Sequence, residues 1–242
     1  MNTLKTVGAV GVLLGACTWA SAAPFLSISS QGAAAAASAE QGFLNAAHSG
    51  YLTETFDDNA FYTVGSQAGT ITSSVGVGSF TSAVPGSGGL CDSGPYNCND
   101  GLAVLNAGAS PFSGRYAVSG SNWLDSMDAR QMVISPAAGF NAMGFYMTDP
   151  NDAGGRLSIG GVDFSFSDIF GSALGNGRIF YVSLYDASGL GDVSIFSNNP
   201  DDGYGIDNIT VANVTEPGTL ALLALGLLGI GLSLSRKSKR NR

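Results

Sequence analysis

Thr219 to Ser235 (TLALLALGLLGIGLSLS) is a run of seventeen residues without a charge, and Arg236, Lys237, Lys239, Arg240 and Arg242 follow it directly. At about 1.5 Å per residue, a helix of this stretch is roughly 25 Å long, close to the ~30 Å hydrocarbon core of a bilayer. A buried core helix has no use for five cations at its end. Cations flanking a membrane span hold that flank on the cytoplasmic side. Residues 219–235 therefore read as a single transmembrane helix with a basic stop-transfer tail at 236–242, and whatever folds in this chain folds ahead of them.

The N-terminus carries the complementary signal. Lys5 precedes an apolar run from Val7 to Ala16, and small residues follow in Ala20-Ser21-Ala22-Ala23. A charged start, a short apolar stretch and an A-x-A site make a secretory signal peptide over 1–22, which signal peptidase would remove. Leu14-Gly15-Ala16-Cys17 offers a second reading, a lipobox with Cys17 as lipidated N-terminus. Either way the middle of the chain is sent outward while the basic tail stays inside.

Just before the apolar run stand Val214, Thr215, Glu216, Pro217 and Gly218. With the helix and the cationic tail, this order resembles the PEP-CTERM sorting signal of exported Gram-negative proteins, with Thr215 where the first proline usually stands. The resemblance implies recognition by an exosortase-type membrane protease. It also implies a chain first anchored in the inner membrane, body outside and C-terminus cytoplasmic, then delivered to the cell surface or beyond. Family members occur in bacteria that make extracellular polysaccharide, which becomes a candidate partner.

Between these ends the charge is one-sided. Arg115, Arg130, Arg156 and Arg178 are the only basic residues of the body and all eighteen acids lie within it, leaving about −14. Nucleic-acid binding, which depends on Lys and Arg neutralising phosphates, is excluded as a function class. Cys91 and Cys98, in CDSGPYNC, read as one local disulfide in an oxidising compartment.

Gln31 to Ala47 is alanine-rich and predicts a helix from about 33 to 47, in a segment 23–50 packing on the body. Beyond it, short apolar or alternating stretches recur between Gly, Asn, Asp and Ser turns. They are 53–56, 70–80, 102–105, 114–118, 132–135, 142–148, 157–159, 162–166, 179–185, 193–197 and 206–211. This spacing predicts an all-β domain over 51–213, a jelly-roll-like β-sandwich. The most apolar stretches, 142–148 and 179–185, are its expected central strands, with Phe145, Ile179, Tyr181 and Leu184 in the core. The body's Thr-Glu-Thr-Phe-Asp at 53–57 and Asp-Gly-Tyr-Gly-Ile-Asp-Asn-Ile-Thr-Val at 202–211 also resemble bodies that accompany this sorting signal, which implies the same sandwich.

No G-x-S-x-G, H-E-x-x-H or P-loop occurs, and His48 is the single histidine, so a non-enzymatic protein is expected. Paired carboxylates alone suffice for glycoside hydrolysis, which keeps a polysaccharide-degrading enzyme as an alternative. Acid-rich loops at 92–100, 149–152 and 199–203 suit calcium, which takes several hard oxygen ligands. By likeness to jelly-roll carbohydrate-binding modules, a structural calcium would bridge the first strand, at Glu54 or Asp57, and the last, at Asp207. A lectin-like module is the other alternative, with Trp123 as the expected glycan platform.

Overall fold

The computed structural model describes residues 24–150, 155–170, 175–199 and 201–214. The signal peptide, Thr215, Glu216, Pro217, the apolar stretch 219–235 and the basic tail lie outside these residues. Among the described residues, no helix is long and apolar enough to cross a membrane.

The described chain runs β1 (Phe25–Ile28), α1 (Ala33–Ala46), β2 (Ala47–Glu54), β3 (Gln67–Ala68), β4 (Thr70–Thr72), β5 (Gly78–Val84) and β6 (Leu102–Asn106). It continues through β7 (Asn122–Asp125), β8 (Gln131–Pro136), β9 (Ala142–Thr148), β10 (Arg156–Ile159), β11 (Val162–Ser165), α2 (Phe166–Phe170), β12 (Ile179–Tyr185), β13 (Val193–Phe196) and β14 (Gly205–Val214). One antiparallel sheet has the order β1-β12-β9-β14-β7-β6-β3, with β2 also pairing β14; the other has the order β11-β10-β13-β8-β5-β4. The two sheets face each other across a shared apolar core, as an all-β sandwich does.

Strand periodicity explains who fills that core. Phe180, Val182 and Leu184 of β12 point between the sheets, with Met143, Phe145 and Met147 of β9 beside them. They meet Phe80, Met132, Ile134, Leu157, Ile159, Val193 and Ile195 of the second sheet. Ile179 and Tyr181 alternate to the opposite face of β12, where they form a second cluster with Tyr146 and Ala36 of α1. So the expected core group divides: Phe145 and Leu184 are between the sheets, and Ile179 and Tyr181 are under the helix. Every residue of β9 is buried because α1 and a loop cover its outer side. Gly144 of β9 makes room for Tyr181, whose hydroxyl occupies the space a Cβ would need.

Two boundaries differ from the expectation. The segment 23–50 is more than a helix, because β1 pairs with β12 and β2 begins at Ala47, both within the first sheet. The stretch 114–118 is not a strand. Arg115 turns into the protein there, and the Val118 N–H is bonded by the Asp207 carboxylate instead of a neighbouring strand.

β14 organises the first sheet. It pairs with β9 on one side. On the other it pairs first with β7 at Gly205–Ile206 and then with β2 from Ile209 onward. The change of neighbour falls at Asp207–Asn208, where the register with β9 shifts and Asn208 takes φ 49°. A bulge here lets one strand serve two partners in succession.

Candidate functional site

The C-terminal end of β14 is the first place of interest, because the expected sorting residues begin there. Val214 pairs with Ala47 of β2. On its other side the Asn141 amide takes both of its backbone bonds. The Val214 N–H donates to Asn141 Oδ1 at 2.9 Å, and Asn141 Nδ2 donates to the Val214 carbonyl at 2.9 Å. A side-chain amide thus substitutes for a strand and closes the sheet at the residue where the sorting sequence starts.

The opposite end of β14 carries the densest charge. Arg115 is buried, and its guanidinium bonds Asp125 at 2.9 Å, Asp128 at 2.6 Å and Asp202 at 2.8 Å. Its Cζ lies 3.9 Å from the centre of the Phe112 ring. Burial opposes the cation, but Asp125 and Asp128 outweigh it and hold the guanidinium charged. Burial pushes the Asp128 carboxyl up, and Arg115 only partly offsets this. Asp149, at φ 55°, is pushed up by burial and by Asp202, against a 2.7 Å hydrogen bond from the Gly177 N–H.

The acid-rich loops that suggested calcium converge on this arginine. Asp202 comes from the 199–203 loop, and Asp149 shares with Arg115 and Asp202 a cleft of about 200 Å³. The disulfide loop joins through the Cys91 N–H, which donates to Asp128 at 3.0 Å. The Cys91–Cys98 disulfide is formed, as expected from the spacing. Arg115 therefore sits where these carboxylates need a positive charge. The sequence reading missed it, although an arginine among four in a lysine-free body was a usable signal.

Of the residues expected to hold calcium, Glu54 and Asp207 do not share one site. Glu54 is opposite Ile209, which faces the inter-sheet core, and Asp207 is opposite Tyr146, which faces α1. Residues directly opposite share a face, so Glu54 and Asp207 lie on different sides of the sheet.

Each of the three carboxylates has its own protein donors. Glu54 accepts from Phe56 N–H, the Tyr62 hydroxyl, Ser73 Oγ and Ser74 N–H, at 2.6–2.8 Å. Burial raises its pKa, but these donors together bring it below the ordinary value. Asp57 accepts from Ser121 and Asn122 N–H at 2.8 and 3.1 Å. Asp207 accepts from Val118, Ser119 and Asn208 N–H at 2.7, 3.1 and 2.7 Å. Burial nevertheless pushes it up to about 7, the three N–H groups lowering it and Asp57 adding a smaller upward push.

Trp123 is not a glycan platform. It is 2% exposed in β7, packs with Leu105, Phe112 and Met127, and donates its Nε1–H to Asp125 at 3.1 Å. Among the described residues, the one group of three ligand-type side chains close enough for a metal is Cys91, Asp92 and Cys98, whose two sulfurs are joined to each other.

Comparison with known families gives one result. Residues 213–237 match the family model for the PEP-CTERM protein-sorting motif. The chain thus carries a PEP-CTERM sorting motif at residues 213–237, and the motif indicates export, C-terminal membrane anchoring before processing, and processing by exosortase, a membrane-associated enzyme. Neither the curated proteins nor the solved structures gave a match.

Proposed function

We propose that this PEP-CTERM-sorted protein is a non-enzymatic component of the cell envelope or extracellular matrix, a jelly-roll-like sandwich with a structural or adhesive role once processing has freed it. The observation that carries the reading is the join between fold and signal. The matched motif starts at Asn213 and β14 ends at Val214, so processing after this point would leave every described strand in place. The buried carboxylates support a structural role, since Glu54, Asp125, Asp128 and Asp207 each engage donors from elsewhere in the fold.

Intact-mass measurement on the protein from its native host tests delivery. The expected species begins near Ala23 and ends shortly after the 214–218 motif; a mass that includes residues 219–242 would overturn it. Incubation with the host's own extracellular polysaccharide tests the non-enzymatic part. Reducing-sugar release should stay at the buffer level, and sustained release would make the protein a glycan-degrading enzyme.

A further inference from the structure

We infer that the outer face of the first sheet, at its Val214 end, rests on the bilayer surface while the C-terminal anchor is in place. The inference depends on the anchored stage described above and adds a specific contact to it.

Three observations point to this face. The first is a row of residues crossing five strands: Tyr51 opposite Ala212, Ala212 opposite Ala142, Ala142 opposite Tyr185, and Tyr185 opposite Phe25. Its inner members are buried, but the two aromatics at its ends are 49% and 55% exposed. At about 4.8 Å per strand, Phe25 and Tyr51 stand about 19 Å apart on one face, on either side of the strand from which the chain leaves.

The second is charge. In a body of about −14, residues 24–56 contain two acids and no Lys or Arg. Glu40 accepts from Tyr146 and Asn208 on the sheet, and Glu54 is sealed between the sheets. The layer made by β1, α1 and the start of β2 therefore presents no free carboxylate. Half of its helix is alanine, and beside Phe25 and Phe43 an apolar-lined groove of about 380 Å³ runs to Val214.

The third is reach. Four residues separate Val214 from Thr219, where the apolar stretch begins. At no more than about 3.6 Å per residue, they hold Val214 within roughly 18 Å of the anchor. The aromatic row is two residues further along β14. Aromatic side chains favour the membrane–water boundary, and tethering makes even a weak surface contact effectively intramolecular. The acidic end around Arg115 then points away from the membrane. The contact would hold the sorting segment at the bilayer surface, where a membrane-embedded protease works.

The test uses the full chain with phosphatidylcholine vesicles whose acyl chains carry bromine close to the headgroups. Tyr51→Trp, Phe25→Trp and Leu90→Trp are compared, Leu90 being an exposed residue just before Cys91, beside Asp201 and Asp202 at the far end of β14. Tryptophan at 51 and at 25 should be quenched at least twofold more than tryptophan at 90, in protein that floats with the vesicles. Floating protein with equal quenching at all three positions would overturn this inference alone. Protein that does not float would overturn it together with the anchored stage. Blue-shifted emission from Tyr51→Trp that grows with protein concentration in the absence of vesicles would assign the face to a second copy of the chain and overturn the membrane contact.

Discussion

Asn141 completes both backbone hydrogen bonds of Val214, the last described residue of β14 and the second residue of the matched sorting motif. The folded body thereby has a defined end. Asn141→Ala removes a donor and an acceptor together and leaves the Val214 peptide to water. The expected result is a loss of about 1–2 kcal/mol of stability. It should come with loss of hydrogen-exchange protection at the Val214 amide, while protection at Ile206 and Val211 persists.

Arg115 neutralises three carboxylates that come from β7, the turn after it and the 199–203 loop. Removing the cation leaves buried like charges facing each other, the situation in which breaking an ion pair costs about 3–5 kcal/mol. Arg115→Met should therefore lower the urea midpoint sharply. Arg115→Lys should not recover it, because an ammonium lacks the planar fork that reaches Asp125, Asp128 and Asp202 at once. A midpoint within error of wild type for Arg115→Met would remove the arginine from its central place.

Asp207 sets a pH dependence with a definite sign. Its folded pKa of about 7 lies above the ordinary 3.8, so its contribution is most favourable below about pH 4. That contribution is lost as pH rises from about 4 to 7. Asp207→Asn keeps an oxygen for the Val118 and Ser119 N–H groups and cannot ionise. Chemical denaturation at pH 4, 5.5, 7 and 8.5 should show the variant losing less stability than wild type over the pH 4–7 interval. Parallel curves would mean that Asp207 titrates at its ordinary value.

How much of this was legible beforehand differs from residue to residue. The apolar, aromatic character of 142–148 and 179–185 placed two long strands correctly, because seven-residue, mainly apolar stretches between turn signals have few other ways to be buried. Which face each side chain takes was not legible for IFYVSLY. Both faces of that strand are covered, one by the second sheet and one by α1, so hydrophobicity does not alternate along it. Trp123 was misread for a related reason. Its burial against Leu105, Phe112 and Met127, with its Nε1–H on the Asp125 carboxylate that Arg115 holds, joins residues that no local pattern links. Glu54 and Asp207 resemble ligands in sequence because an acidic residue looks the same whether its donors are a metal or backbone N–H groups.

That last ambiguity can be settled at Glu54. Its carboxylate binds Tyr62 at 2.7 Å and the Ser73–Ser74 turn of the second sheet at 2.6–2.8 Å, so it joins the two sheets through hydrogen bonds of its ionised form. Charge-assisted bonds of this kind are about twice as strong as neutral ones, and Tyr62 is correspondingly held protonated, first by burial and then by Glu54. Because the folded pKa lies below the ordinary 4.5, the carboxylate's contribution is present above that value and fades as pH falls through the lower one. Glu54→Gln keeps the shape and loses the charge. It should cost about 1–3 kcal/mol at pH 7 and progressively less as pH falls below 4.5. If the donors are those of the protein, thermal denaturation of wild type and variant should differ by the same amount with EDTA and with millimolar calcium. A difference that grows when calcium is added would instead make Glu54 a metal ligand and refute the hydrogen-bonded role.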